Sequence, residues 1–266
     1  MKRDKGLALC ACVKAVPDSD AITFDAATGR LRRDGAAAVI NPYDLVALEV
    51  GLQCLAKAPG TLHAVSMGPS SATAALKTAL AMGAEKAHLL SSPAFSGADV
   101  LATAYALSAF FAVHPADVIL CGSHSADGDT GQTGAMLAET LGIAHAAGAS
   151  EILEVLPDGL RVRQQLDGFG QVVYLPFPCL LVVRADSCYP RVPTLGDTLR
   201  ARRQPIVTQD EHTLPGLDVA RCGAKGSATR VAQVSVVQRT RAGRRLAMDA
   251  LPQLADRLVR EVYDGA

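Results

Sequence analysis

Through the first half of the chain, short apolar runs alternate with stretches whose apolar residues recur every three or four positions. Residues 7–13, LALCACV, are almost uniformly apolar, the pattern of a strand buried on both faces. Between residues 42 and 57, Leu45, Leu48, Leu52 and Leu55 share one helical face and Glu49 lies on another. The alternation continues with a strand near 61–67, a helix over 70–82 stopped at Gly83, and a strand near 86–90. A helix over 98–113, a strand at 117–121 and a helix opening near Gly131 and ending at Leu141 complete the series. This order predicts parallel strands joined by right-handed crossovers, with helices on both faces of the sheet.

Beyond residue 145 the pattern changes. Residues 145–185 hold three or four strand-like runs, with turn signals at Pro157-Asp158-Gly159 and Asp167-Gly168, and are read as antiparallel strands added to the sheet. From about 186 the chain is rich in Pro, Arg and Gly, with little periodicity until a helical pattern at 249–263 formed by Leu251, Leu254, Leu258, Val259 and Val262. Residues 205–230 read as an extended segment that buries little against its own domain and is better explained by wrapping a partner. The expected fold is therefore α/β: an open, mostly parallel, Rossmann-like sheet with helices on both faces, added antiparallel strands and an extended C-terminal arm. The nucleotide-binding domain is expected to cover 1–205, and the arm and its helix 206–266.

Composition narrows the function. Lys+Arg and Asp+Glu stand at 26 each, so the basic excess expected of a nucleic-acid binder is missing apart from Arg200, Arg202 and Arg203. Aromatics are only 4% and Trp is absent, which argues against a base-stacking platform. The seven cysteines (Cys10, Cys12, Cys54, Cys121, Cys179, Cys188 and Cys222) are odd in number and scattered, so they read as buried thiols rather than a disulfide framework or zinc site. No apolar run reaches the length of a membrane span. The basic, then apolar, start of the chain is interrupted by Lys14 and reads as a first strand, giving an expectation of a cytoplasmic protein without membrane insertion.

In an open parallel sheet, ligands bind beyond the carboxyl ends of the strands. Four loops there have unusual composition: Lys14-Ala15-Val16-Pro17-Asp18, Ile40-Asn41-Pro42-Tyr43-Asp44, Ser66-Met67-Gly68-Pro69-Ser70 and the long run from Cys121 to Gly134. In the second, Asn41 is placed to cap a helix whose first turn holds Pro42. The fourth packs Gly128, Gly131 and Gly134 into seven residues and leads into a helix, where free amides and the helix dipole favour an anion. Thr130, Gln132 and Thr133 add neutral donors, while Asp127 and Asp129 suit amide capping or ribose hydroxyls better than phosphate. The same residue types also serve as plain loop and cap residues, and composition alone leaves both readings open.

Familiar catalytic signatures are missing. The chain has no G-x-x-x-x-G-K-[ST], no G-x-G-x-x-G after the first strand and no G-x-S-x-G. His124 is the one histidine in a candidate loop and makes a weak pair with Cys121, whereas His63, His88 and His145 lie in apolar stretches and read as structural.

Taken together, the loops resemble the beta subunit of electron transfer flavoproteins. The resemblance rests on Val13-Lys14 with Pro17-Asp18, Asn41-Pro42-Tyr43-Asp44 with Ala47-Leu48-Glu49, and Ser66-Met67-Gly68-Pro69. It continues through residues 78–84 (TALAMGA), Asp127-Gly128-Asp129 with Gln132-Thr133-Gly134, Pro190-Arg191 and Thr194-Leu195, so it covers roughly residues 7–205 in order. It implies a heterodimer with an alpha subunit that carries the redox-active FAD, while this chain holds AMP, or a second FAD in electron-bifurcating members. The implied cofactor-binding residues are Cys12, Asn41, Pro42, Tyr43, Asp44, Met67, Gly122, Ser123, His124, Ser125, Ala126, Asp127, Gly128, Asp129, Thr130, Gly131, Gln132 and Thr133, with no catalytic or metal-ligating residue. It further implies an electron carrier rather than an enzyme, reduced by a flavin dehydrogenase, often one acting on acyl-CoA.

The sequence departs from that family in three places. The docking loop is cut to Asp186-Ser187-Cys188-Tyr189-Pro190, without a clear counterpart of the leucine that anchors partner dehydrogenases. Asp127-Gly128-Asp129-Thr130 looks like the bifurcating branch, whereas Gln132-Thr133-Gly134 looks like the AMP-holding one. Ser19 stands where the simple carriers often place an aromatic. Two other readings are a stand-alone enzyme splitting ATP at the α-phosphate and a homodimeric nucleotide-sensing stress module. The first lacks a Ser-Gly-Gly-x-Asp-Ser loop after strand one, and the second has no need of a tail over 186–266.

Overall fold

A computed structural model of the chain describes residues 6–18, 23–25, 30–32, 38–230 and 254–256. The first of two compact units runs from Met1 to Ala232. Its elements follow in order: β1 (Leu7–Cys12), β2 (Ala15–Pro17), β3 (Thr23–Asp25), β4 (Arg30–Arg32), β5 (Ala38–Ile40), α1 (Pro42–Lys57), β6 (Gly60–Met67), α2 (Thr73–Met82), β7 (Lys86–Leu90), α3 (Val100–Val113) and β8 (Val118–Gly122). Then come α4 (Thr133–Leu141), β9 (Ala144–Val155), β10 (Gly159–Leu166), β11 (Phe169–Pro176), β12 (Cys179–Val183), α5 (Leu195–Arg203), β13 (Val207–Gln209) and the short α6 (Gly223–Gly226). Ser19 lies outside the described residues, as does the predicted helix at 249–263 except for helical residues 254–256 in the second unit, Gln233–Ala266.

The apolar runs become the middle of one nine-stranded sheet, ordered β11-β10-β9-β12-β8-β1-β6-β7-β13. From β9 through β12, β8, β1, β6, β7 and β13 every neighbouring pair is parallel; β9, β10 and β11 form the antiparallel addition. Alternate residues of β1 feed two cores. Leu7, Leu9 and Ala11 pack with Leu48 of α1 and Leu76 and Leu80 of α2, while Cys10 packs with Leu107 and Phe110 of α3 and Leu137 of α4. Helices thus cover both faces, as right-handed crossovers require when the winding direction changes. This is the α/β, Rossmann-like arrangement the alternation predicts.

The helix limits have local causes. Pro42 starts α1 at a position where its missing N–H costs nothing. Gly83, with φ of 129°, ends α2, and Asp99 caps α3 by accepting the N–H of Ala102.

The polar segment after residue 186 differs from expectation in two ways. It contains α5, set by a capping box in which Thr194 and Asp197 satisfy each other's backbone N–H. Lys77 of α2 closes its other end by donating to the carbonyls of Ala201, Arg202 and Gln204. Residues 205–230 are also not free of their own domain: β13 extends the sheet beside β7, and Leu214 and Cys222 are only 2% and 1% exposed. Asp218 and Arg221 meet Tyr105, the first through its N–H to the phenol oxygen and the second stacked 3.9 Å over the ring. Isolated anchors at long sequence separation hold this segment down, so it carries no periodic pattern to read.

Candidate functional site

The chain steps from β1 to β6 and β7 on one side, then returns to place β8 on the other side of β1. In open parallel sheets such a reversal is where neighbouring loops diverge and a ligand crevice is expected, here beyond the carboxyl ends of β1 and β8. Cys12 ends β1 opposite Cys121 of β8. The two thiols are hydrogen-bonded, and that bond together with burial pushes the Cys12 thiol well above its ordinary value. It is an inert, structural thiol.

Asp44, in the first turn of α1, ties the two strand exits together. Its carboxylate accepts the Lys14 N–H at 2.7 Å and also the N–H of Gly122. A Cβ on Gly122 would lie 2.4 Å from Asp44 Oδ1 and 2.7 Å from the Tyr43 carbonyl carbon, so this approach admits only glycine. Asn41 occupies the N-cap position of α1, yet its side chain makes no capping bond. Instead its Nδ2 donates to the His124 carbonyl at 2.8 Å and its Oδ1 accepts the Ala126 N–H at 3.2 Å. The buried amide thus braces the loop after β8, a tertiary use that displaces the local capping role.

That loop folds back on itself. Asp129 adopts φ of 48° and its N–H donates to the Ser125 carbonyl at 2.9 Å, while Gly131 has φ of 63°. The His124 ring sits against Gly131 and lies 5.7 Å, centroid to centroid, from the Tyr43 ring. Cys121 points away, to Cys12, so the weak Cys121–His124 pair of the sequence is replaced by a thiol pair and an aromatic contact. Ser123 supplies a carbonyl beside Gly131, and Ser125 lies under Gly128. Asp127 is held by Lys14. Thr130 and Gln132 are exposed at the entry to α4, whose helical residues begin at Thr133, two positions after Gly131. No side chain caps α4. Pro42 is exposed on α1, and Met67 ends β6 half-buried, in the same core as Cys12. The structure therefore joins Cys12, Asn41, Tyr43, Asp44, residues 122–129 and Gly131 at the ends of β1 and β8; Thr130 and Gln132 are exposed beside them, and Met67 ends β6, the strand paired with β1.

Comparison with known proteins bears on what this crevice belongs to. The family model described as an electron transfer flavoprotein domain matches residues 28–214. Protein FixA of Bradyrhizobium diazoefficiens is 33% identical over 95% of this chain and 90% of its own length. The electron transfer flavoprotein subunit beta of Thermoanaerobacterium thermosaccharolyticum is 36% identical over 87% of this chain and 88% of its own length. The chain belongs to the electron transfer flavoprotein beta subunit family. A further relative, the caffeyl-CoA reductase-Etf complex subunit CarD of Acetobacterium woodii, is 36% identical over 83% of this chain and 84% of its own length.

Within this electron transfer flavoprotein chain, sequence reasoning passed over Lys14, which sits in the first candidate loop. It also passed over Ser66, whose buried hydroxyl finds no partner at the end of β6. Among the described residues no three His, Cys, Asp or Glu side chains are arranged to hold a metal, and no helix is long and apolar enough to cross a membrane. Of the histidines read as structural, His88 is buried and His63 half-buried, but His145 is exposed on β9 because alternate positions of that strand face outward.

Asp44 gives the crevice a pH signature. Burial drives its carboxyl up from an ordinary 3.8 to about 7, against the pull of the Lys14, Asn41 and Gly122 hydrogen bonds and the Lys14 charge. Between those values the folded chain holds a proton that the unfolded chain has released, so the Asp44 contribution to stability falls as pH rises from about 4 to 7. His88 works the other way: burial, then the nearness of His114, His63 and Lys86, lowers it from 6.5 to about 4, and its contribution is lost as pH falls through that range. The two slopes oppose each other in the native chain. In Asp44→Asn the Asp44 slope is removed, and urea unfolding across pH 4–7 is expected to show stability rising with pH more steeply than in the wild type.

Proposed function

We propose that this chain is the beta subunit of a heterodimeric electron transfer flavoprotein, binding an adenine nucleotide and helping to position the FAD of an alpha subunit for electron transfer. The observation that carries the nucleotide site is the strand-order reversal at β1/β8, beyond which a glycine-bearing loop runs into the N-terminus of α4, where no side chain makes a capping bond. The residues fit the group. Free amides at a helix start favour a phosphate, Gly122 lets α1 close against the end of β8, and Gly131 takes φ of 63° two positions before α4. Gly131, Gln132 and Thr133 would hold the phosphate, with Cys12, Asn41 to Asp44, Met67 and residues 122–130 forming the rest of the cradle.

The flavin supplies the redox chemistry when bound, and this chain's residues bind and orient. The chain is thus an electron carrier subunit rather than an enzyme, working in the cytoplasm. Its donor, as the family resemblance implies, is a flavin dehydrogenase; one relative is named as a subunit of a caffeyl-CoA reductase-Etf complex. Partner docking is assigned to the shortened loop and the stretch that leads from it into α5, where Tyr189, Val192 and Leu195 are 98%, 89% and 76% exposed beside Arg191. The loop's base is firm: Arg191 makes paired bonds to Glu49 at 2.7 and 3.1 Å, outweighing burial and holding that carboxyl below its usual range. Residues through 230 seat the C-terminal arm on its own domain, and the remainder of 206–266 is assigned to the partner subunit.

The test is the nucleotide released on denaturing the complex purified after co-expression with an alpha subunit. One FAD and one AMP per heterodimer is the expected result, and two FAD would make this chain a bifurcating type. A colourless chain free of nucleotide and of any flavin-bearing partner would overturn the proposal.

A further inference from the structure

Residues 122–134 contain Asp127 and Asp129 but no lysine or arginine. A phosphate entering this loop therefore meets favourable amides and two unfavourable carboxylates, and a compensating Lys or Arg has to come from outside the loop. Lys14, just past β1, is placed to supply it. Its backbone is fixed at both ends: the N–H donates to Asp44 Oδ2 at 2.7 Å and the carbonyl accepts the Asn41 N–H at 2.9 Å. From that base the side chain reaches across the crevice, with Nζ 2.6 Å from Asp127 Oδ1 and 3.4 Å from Ser125 Oγ. A Cβ on Gly128 would lie 3.9 Å from the same ammonium, so the charge hangs over the turn of the loop.

The pair with Asp127 is an exchangeable one. The two side chains are 46% and 34% exposed, and ion pairs this open to water contribute at most about 1 kcal/mol. A phosphate carries more charge than one carboxylate and offers several acceptor oxygens, so it competes well for the same ammonium. The geometry points to Lys14 as a phosphate-binding residue of the nucleotide site, which gives up Asp127 when the nucleotide enters and makes Asp127 an internal competitor. This inference rests on the nucleotide reading of the crevice and adds the residue that recognises the charge. It predicts that affinity depends on the phosphate far more than on the adenosine.

Binding of AMP, FAD and adenosine to the full-length chain, measured by equilibrium dialysis after removal of carried-over nucleotide, tests it. For whichever of AMP and FAD the wild type binds, Lys14→Gln is expected to weaken binding by about tenfold or more while leaving adenosine within about twofold. Lys14→Arg should stay within about threefold, and Asp127→Asn should bind about threefold more tightly because the competitor is gone. The salt dependence should also be shallower in Lys14→Gln than in the wild type. Unchanged affinity in Lys14→Gln, or equal loss for the nucleotide and adenosine, overturns the role of Lys14 alone. A wild-type chain that binds neither AMP nor FAD overturns the nucleotide reading and this inference together.

Discussion

Replacing Gly122 with valine is expected to destabilise the chain by about 3 kcal/mol or more and to abolish nucleotide retention, because this glycine lets two strand exits and a helix meet. The nearest neighbours of an added Cβ are the Asp44 carboxylate at 2.4 Å, the Tyr43 carbonyl carbon at 2.7 Å and the Tyr43 Cβ at 2.9 Å. Two of these belong to or adjoin the main chain of α1's first turn, so no rotamer change relieves them. Relief requires α1 to move away from β8, which breaks the Asp44 bond to the Gly122 N–H and loosens the Asn41 brace on residues 124–126. Gly128→Ala is the control: its Cβ would lie 3.6 Å from Ser125 Oγ, an ordinary contact, and stability should change by less than about 0.5 kcal/mol. Urea unfolding and the nucleotide content of the purified protein check both variants. Valine at 122 with native stability and full nucleotide content would show that the crevice is looser than its contacts indicate.

Phe110→Ala is expected to cost about 3–5 kcal/mol, the range for deleting a fully enclosed aromatic ring. Phe110 is 1% exposed and lies between the rings of His88 at 5.2 Å, Phe111 at 5.2 Å and His114 at 4.6 Å. Its loss opens a cavity beside the buried His88 Nδ1, which has no hydrogen-bond partner, and water entering there would hydrate the imidazolium. Two readouts follow. The melting temperature should fall by on the order of 10 °C, and the His88 ring, titrating near 4 in the native protein, should titrate closer to its ordinary 6.5 by NMR. Phe110→Leu, which keeps most of the volume, should lose less than half as much stability. A fall in stability with no movement of His88 would mean that the cavity collapses dry.

How much of this was legible in the sequence depended on whether an element is specified locally. Helix α1 was readable to the residue, since Pro42 and the leucine rhythm act within one or two helical turns. The central strands were readable because burial on both faces leaves runs such as LALCAC and CLLVV. Helix α5 was missed although Thr194 and Asp197 spell its capping box, because its body, LGDTLRARR, buries only Ala201 and offers no apolar stripe. β13 is three residues long and exists through its partner β7. At the site, the glycine-rich loop could be located from composition, but two roles could not. Asn41 obeys a cap rule in sequence and answers to a loop 83 residues away in the fold, and Lys14 meets a carboxylate 113 residues away.

The place of β13 has a consequence for the sheet as a whole. A strand at a sheet margin presents unpaired N–H and C=O groups that invite another chain. On the β7 side the protein's own arm occupies that position through Val207, Thr208 and Gln209, so the margin there is the three-residue β13 instead of the five-residue β7. On the opposite flank β11 is the last strand among the described residues, and it displays Phe169, Val172 and Tyr174 to solvent. The β13 margin is thus the shorter of the two, and a truncation before Val207 would expose the longer β7 to lateral pairing.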